Sequence, residues 1–107
     1  MRIREAQERA YAIAKSKGWH DEPRSFGDLM ALAHSELSEA LESYRSDGMR
    51  CSIRQDGKPE GVAPELADVV IRVMDTCAYL GIDLESEVER KMAYNAGRGH
   101  RHGGKRL

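Results

Sequence analysis

Glu65-Leu66-Ala67-Asp68-Val69-Val70-Ile71-Arg72-Val73-Met74-Asp75-Thr76-Cys77-Ala78-Tyr79-Leu80-Gly81 is the stretch that decides the fold class. Pro64 suits a first helical position, where the missing amide costs no hydrogen bond, and Gly81 suits a helix end. At about 100° per residue, Leu66, Val69, Val70, Val73, Cys77 and Leu80 cover one face, and Ala67, Ile71, Met74 and Ala78 cover most of the other. Only a stripe roughly 100° wide stays polar, made of Glu65, Asp68, Arg72, Asp75 and Thr76. A helix apolar over so much of its girth needs cover on several sides. A chain of 107 residues has little material to supply that cover alone, so a helical interface between copies is expected.

Working outward, the pattern stays helical. About Arg2–Lys17 sets Ile3, Ala6, Ala10, Ile13 and Ala14 at helical spacing before Gly18. Ser25-Phe26-Gly27-Asp28 is a variant capping box that opens a second helix, which runs to about Ser46 and is expected to bury Leu29, Ala33, Leu37, Ala40, Leu41 and Tyr44. Residues 47–61 are polar, hold three glycines and lack periodicity, which predicts a mobile loop. A fourth helix is expected after Asp83 as N-cap, ending near Gly97. No segment alternates like a strand and no repeat is present, so the reading is all-α, with a single domain over residues 1–97 and a basic tail over 98–107.

The formal net charge of −1 conceals a division. Residues 1–97 carry 13 Lys/Arg against 18 Asp/Glu, whereas 98–107 carry Arg98, Arg101, Lys105 and Arg106 with no acid. The longest aliphatic run, Val69-Val70-Ile71, is far too short for a membrane span of about 20 residues, and no signal-peptide hydrophobic region follows Met1. Cys51 and Cys77 suit neither a disulfide framework nor a four-ligand zinc site, which points to a reduced, cytoplasmic protein.

Two acidic pairs carry the chemistry. Glu36-x-x-Glu39 lies in the second helix and Glu65-x-x-Asp68 in the third, each at i, i+3 and so on one side of its helix. Such a pair read alone is a solvated face, and Glu65 also sits where the helix dipole favours an acid. If the two helices pack antiparallel, four carboxylates converge. At about 5 Å and an effective dielectric of about 20 they repel by roughly 3 kcal/mol per pair, a penalty that a divalent cation removes. An all-oxygen set suits magnesium or manganese rather than zinc. In the fourth helix, Lys91 and Asn95 lie between or beside Leu84, Val88 and Met92, with Arg98 on the same side if the helix continues. They either snorkel to solvent or face phosphate oxygens.

Taken together, Glu36-x-x-Glu39, Glu65-x-x-Asp68 after a 25-residue interval, and Lys91-x-x-x-Asn95 resemble the all-α nucleoside triphosphate pyrophosphohydrolases of the MazG superfamily. The resemblance runs from Gly18 to the C-terminus. Lys91-Met92-Ala93-Tyr94-Asn95, Arg98 and His102-Gly103-Gly104-Lys105 are similar to the ending of small MazG-like proteins. It implies a four-helix MazG-like fold that forms a bundle across a homodimer or homotetramer interface. It further implies that Glu36, Glu39, Glu65 and Asp68 hold Mg²⁺, with Mn²⁺ as the alternative ion, and that a water activated there attacks the α-phosphorus of a nucleoside triphosphate. Glu39 is the expected general base. Lys91, Asn95 and Arg98 would meet the phosphates, and Trp19, His20 and Arg24 would meet the nucleoside.

Several residues read two ways. Trp19 serves at least as well as a junction staple as it does as a base platform. His100 and His102 read as surface histidines, His34 points about 160° away from Glu36, and Cys77 reads as core. A non-catalytic helical interaction module with an acidic surface is the competing function. Nucleic-acid binding is disfavoured, because four tail cations without an aromatic sit on an acidic body. The tail is expected to clamp an anionic ligand.

Overall fold

The computed structural model describes residues 2–107. Its elements are α1 (Ile3–Ser16), α2 (Phe26–Asp47), β1 (Ser52–Ile53), β2 (Pro59–Glu60), α3 (Val62–Leu80), α4 (Leu84–Ala96) and the short turn α5 (Arg101–Gly104). The chain is mostly helical, as the periodicity predicts, and the boundaries follow the expected punctuation. Ser25 caps α2, its hydroxyl accepting from the Asp28 amide at 3.1 Å. Gly81 closes α3 with a left-handed φ of 74°, and Asp83 caps α4 by accepting from the Ser86 amide and hydroxyl. α3 begins at Val62, two residues before Pro64.

The stretch expected to be an irregular loop contains a small antiparallel hairpin, in which Ser52 pairs with Glu60 and Ile53 with Pro59. Its tip is closed by Gly57 donating to the Arg54 carbonyl at 2.9 Å. Strands of two residues are too short to register as alternation, which is why the sequence reads as loop. The tail makes one further turn, α5, with left-handed φ at Arg101 and His102, in which Arg98 donates to the His102 carbonyl.

α3 packs against both α1 and α2, and α4 rests on α1. A polar joint ties α1 to the α3–α4 turn. Gln7, buried, donates to the Ile82 carbonyl at 2.6 Å and accepts from the Leu84 amide, while Arg4 pairs with Asp83 and Glu85. The buried apolar residues are Ala10, Leu29, Ala40, Val62 and Cys77, a core of mostly small side chains.

The orientation of α3 is the main departure from expectation. Asp75 and Thr76, from its polar stripe, are buried, whereas Leu66, Val70, Ile71 and Val73 face outward. On α2, Leu37, Leu41 and Tyr44, expected in the core, are each more than half exposed, because that face of α2 has no helix against it within the chain. Two global measures agree. The chain exposes 8281 Å², where a compact monomer of its 12.0 kDa exposes about 6000 Å². Its radius of gyration is 16.3 Å, against about 13 Å for a compact domain of this length. Among the described residues, no helix is long and apolar enough to cross a membrane.

Candidate metal centre

The two acid-bearing helices run antiparallel. Glu36 of α2 meets Arg72 of α3, while the last turns of α2 share a cleft with Gly61 and Glu65 at the start of α3. This brings three of the four expected ligands together. Glu36, Glu65 and Asp68 each offer a carboxylate oxygen within 4.8 Å of the others. Glu36 and Glu65 are half-buried and Asp68 is exposed. Glu39 stands outside this triad, exposed, on the wall of the cleft it shares with Glu65.

The electrostatics are those of crowded acids. Burial raises the Glu65 carboxyl above the ordinary glutamate value of 4.5, and the charges of Glu39, Asp68 and Glu36 raise it further, with Lys58 opposing. An all-oxygen, anionic, partly open cluster fits a hard divalent cation by ligand type and charge. It does not by itself select magnesium over its relatives.

Arg72, for which the sequence assigned no role beyond the polar stripe, neutralises part of this charge. Its Nη2 lies 3.3 Å from Glu36 Oε1, with both side chains largely buried, and its Nε is buried without a partner. Arg72 is four residues after Asp68 and seven after Glu65, so helical spacing alone places it on the acid face. The Trp19 ring lies 5.5 Å from the Arg72 guanidinium and 5.8 Å from that of Arg24. Trp19, Glu36, Asp68, Arg72 and Asp75 line a cavity of about 130 Å³ beside the triad.

The other expected site residues are placed differently from one another. Trp19 is half-exposed next to the triad, and Arg24 is anchored beside it by donating to the Trp19 carbonyl at 3.3 Å. His20 is buried and committed. Its Nε2 lies 2.7 Å from Asp75 Oδ1, its ring stacks on Tyr79 at 4.8 Å, and Tyr11 packs against it. The structure therefore gives His20 an internal partner in place of an open nucleoside-facing position. Asp75 is the residue sequence reasoning missed there, because nothing in the periodicity links positions 20 and 75. Lys91 and Asn95 are exposed on α4 and line neither acid-bearing cavity. Lys91 and Arg98 instead flank the Tyr94 ring at 5.7 and 5.3 Å. His34 faces the apolar groove of Leu37, Leu41 and Tyr44, away from the acids.

Compared with protein-family models, curated proteins and solved structures, the chain matches none.

Proposed function

We propose that the chain is a magnesium-dependent nucleoside triphosphate pyrophosphohydrolase, MazG-like in fold, that cleaves (d)NTP to (d)NMP and pyrophosphate as a cytoplasmic homo-oligomer. The observation that supports this most is the convergence of Glu36, Glu65 and Asp68 from two antiparallel helices to within 4.8 Å. These three would hold the ion. When bound, the ion supplies charge neutralisation at the phosphates and acidifies a water.

The remaining steps belong to the chain. Glu39, exposed on the cleft wall beside Glu65 and without an ion-pair partner among the described residues, would accept the proton of the attacking water. Trp19, with Arg24 beside it, offers an aromatic face next to the triad for a base. Lys91, Asn95 and Arg98 supply phosphate contacts from α4. Because they line neither acid cavity of their own chain, they reach the triad from a second copy in this proposal. The outward apolar faces of α2 and α3 are consistent with that assembly, and two free cysteines fit a reducing compartment.

The test is incubation of the purified protein with a panel of (d)NTPs and Mg²⁺ or Mn²⁺, with detection of monophosphate and pyrophosphate. Turnover of no nucleotide, together with no metal-dependent rise in Tm, would remove the enzyme reading.

A further inference from the structure

The segment between α1 and α2, residues 17–25, carries Trp19, His20 and Arg24 and folds back over α3. Two polar contacts hold it there. His20 donates from Nε2 to Asp75 Oδ1 at 2.7 Å, with only 7% and 5% of the two side chains exposed. The Arg24 amide donates to the Tyr79 hydroxyl at 3.1 Å. Asp75 and Tyr79 are one turn apart on the same side of α3. Between these anchors the His20 ring stacks on Tyr79, with Tyr11 packed at 5.1 Å.

The His20 ring has one hydrogen-bond partner. Its Nδ1 is buried without another, so Asp75 alone sets the orientation of the ring within the aromatic stack. A buried carboxylate in turn needs such a donor, which makes the bond costly to lose. Trp19, the residue beside His20, is 48% exposed, so burial alone does little to fix its ring. What places that ring near the Arg72 guanidinium is the path of the connecting segment. Asp68, Arg72, Asp75 and Tyr79 fall within roughly 60° of one another around α3. One stripe of a single helix therefore carries an acid of the triad, the cation beside Trp19 and both anchors of the segment that bears Trp19.

We propose that His20 and Asp75 are positioning residues, whose buried bond, with the Arg24–Tyr79 contact, clasps the connecting segment to α3 and holds Trp19 in place beside the acid cluster before a substrate arrives. The inference rests on the pyrophosphohydrolase reading, in which Trp19 is the aromatic platform, and it assigns that platform a preformed position. Releasing the clasp frees the segment to take other paths. If Trp19 then occupies its place only about a tenth of the time, apparent affinity for anything that needs it there falls about tenfold.

The test uses the full chain and the variant H20F/D75L, which removes both partners, keeps an aromatic ring on Tyr79 and leaves no unpaired carboxylate behind. Without metal or nucleotide, Trp19 emission should move to the red in H20F/D75L and acrylamide quenching should rise toward that of free tryptophan, with far-UV circular dichroism unchanged. KM for the nucleotide that the wild type turns over best should rise about tenfold with kcat nearly unchanged. Asp75→Asn, which keeps the acceptor for His20, should restore both readouts. Unchanged emission and quenching in folded H20F/D75L, or an unchanged KM, overturns the positioning role. If the double variant does not fold, Tyr79→Phe carries the fluorescence comparison, because it removes only the anchor of the Arg24 amide, and wild-type quenching there overturns the clasp. The fluorescence arm needs no turnover. A wild type that turns over no nucleotide while the variants loosen Trp19 rejects the enzyme reading alone, whereas turnover with Trp19 unmoved in the variants rejects the clasp alone.

Discussion

Arg72 Nη2 lies 3.3 Å from Glu36 Oε1, so the acid cluster already contains one internal cation. The pair is largely shielded from water, with about 17% and 18% of the two side chains exposed. It joins α3 to α2 at the level of the triad. A divalent ion held by Glu36 would share that carboxylate with the guanidinium or displace it. In either case the ion and Arg72 would draw on the same charge.

Replacing Arg72 with Met separates these roles. Without added metal, Arg72→Met leaves Glu36 unpaired among acids, and the expected cost is about 1–3 kcal/mol, reduced from the fully buried case because both groups retain some water. The rise in Tm on adding Mg²⁺ should be larger in the variant than in wild type. Equal rises in a thermal-shift titration would show that Arg72 and the ion do not share Glu36.

Trp19 is the sole tryptophan and stacks beside Arg72, which makes its fluorescence a local reporter. Titration of Mg²⁺ should change the emission of wild type with the same midpoint as the Tm shift. The change should vanish in Glu65→Gln, which keeps the Arg72–Glu36 pair but lacks a triad charge. A titration with no spectral change places the ion away from this cluster.

The raised Glu65 carboxyl has a defined sign. Its proton is held more tightly in the folded than in the unfolded chain, so the metal-free fold loses stability as pH rises from about 4.5 through the raised value and then levels off. Metal binding runs the other way, since the ion needs the carboxylate. The Mg²⁺-induced rise in Tm should therefore grow across the same window. In Glu65→Gln the window flattens in both series, and persistence of the wild-type profile in that variant would assign it to other acids.

Much of this was legible in the sequence because helix ends are marked by local chemistry. Gly18, Ser25, Gly81 and Asp83 each mark a boundary through a backbone preference or a cap that needs no tertiary partner. The acid triad was legible because i, i+3 spacing fixes a side of a helix. What spacing cannot tell is which side of a helix its neighbours occupy. α3 turns Asp75 and Thr76 inward and Val70 outward, and periodicity is the same for either choice. His20 and Asp75 are equally silent, because their bond depends on how the α1–α2 connection folds back over α3. The hairpin escaped because its strands, two residues each, are too short to show alternation.

Glu39 stands apart from the triad, and this separates catalysis from stability. It is exposed and makes no ion pair among the described residues, so Glu39→Gln should keep the unfolding free energy within about 0.5 kcal/mol of wild type. As the proton acceptor it should cost at least about a hundredfold in kcat. Full activity in a folded Glu39→Gln protein moves the base elsewhere in the cleft.

The outward apolar surface gives the most direct test of assembly. Val70 and Leu66 of α3 are 55% and 45% exposed, and Leu37, Leu41 and Tyr44 of α2 border an apolar groove. The chain exposes about 2,300 Å² more than a compact monomer of its mass, while a standard interface buries about 800 Å² per partner. The exposed apolar faces of α2 and α3 contribute to that excess. Light scattering after size exclusion should therefore give at least twice 12.0 kDa for the wild type. Val70→Glu and Leu41→Glu, each placing a charge on a face with no intrachain partner, should shift the protein toward monomer. Because α4 supplies its phosphate contacts from the second copy in this proposal, turnover should fall with the dimer fraction and recover as protein concentration rises. A wild type that is monomeric at tens of micromolar yet fully active would require Lys91, Asn95 and Arg98 to act within one chain or not at all.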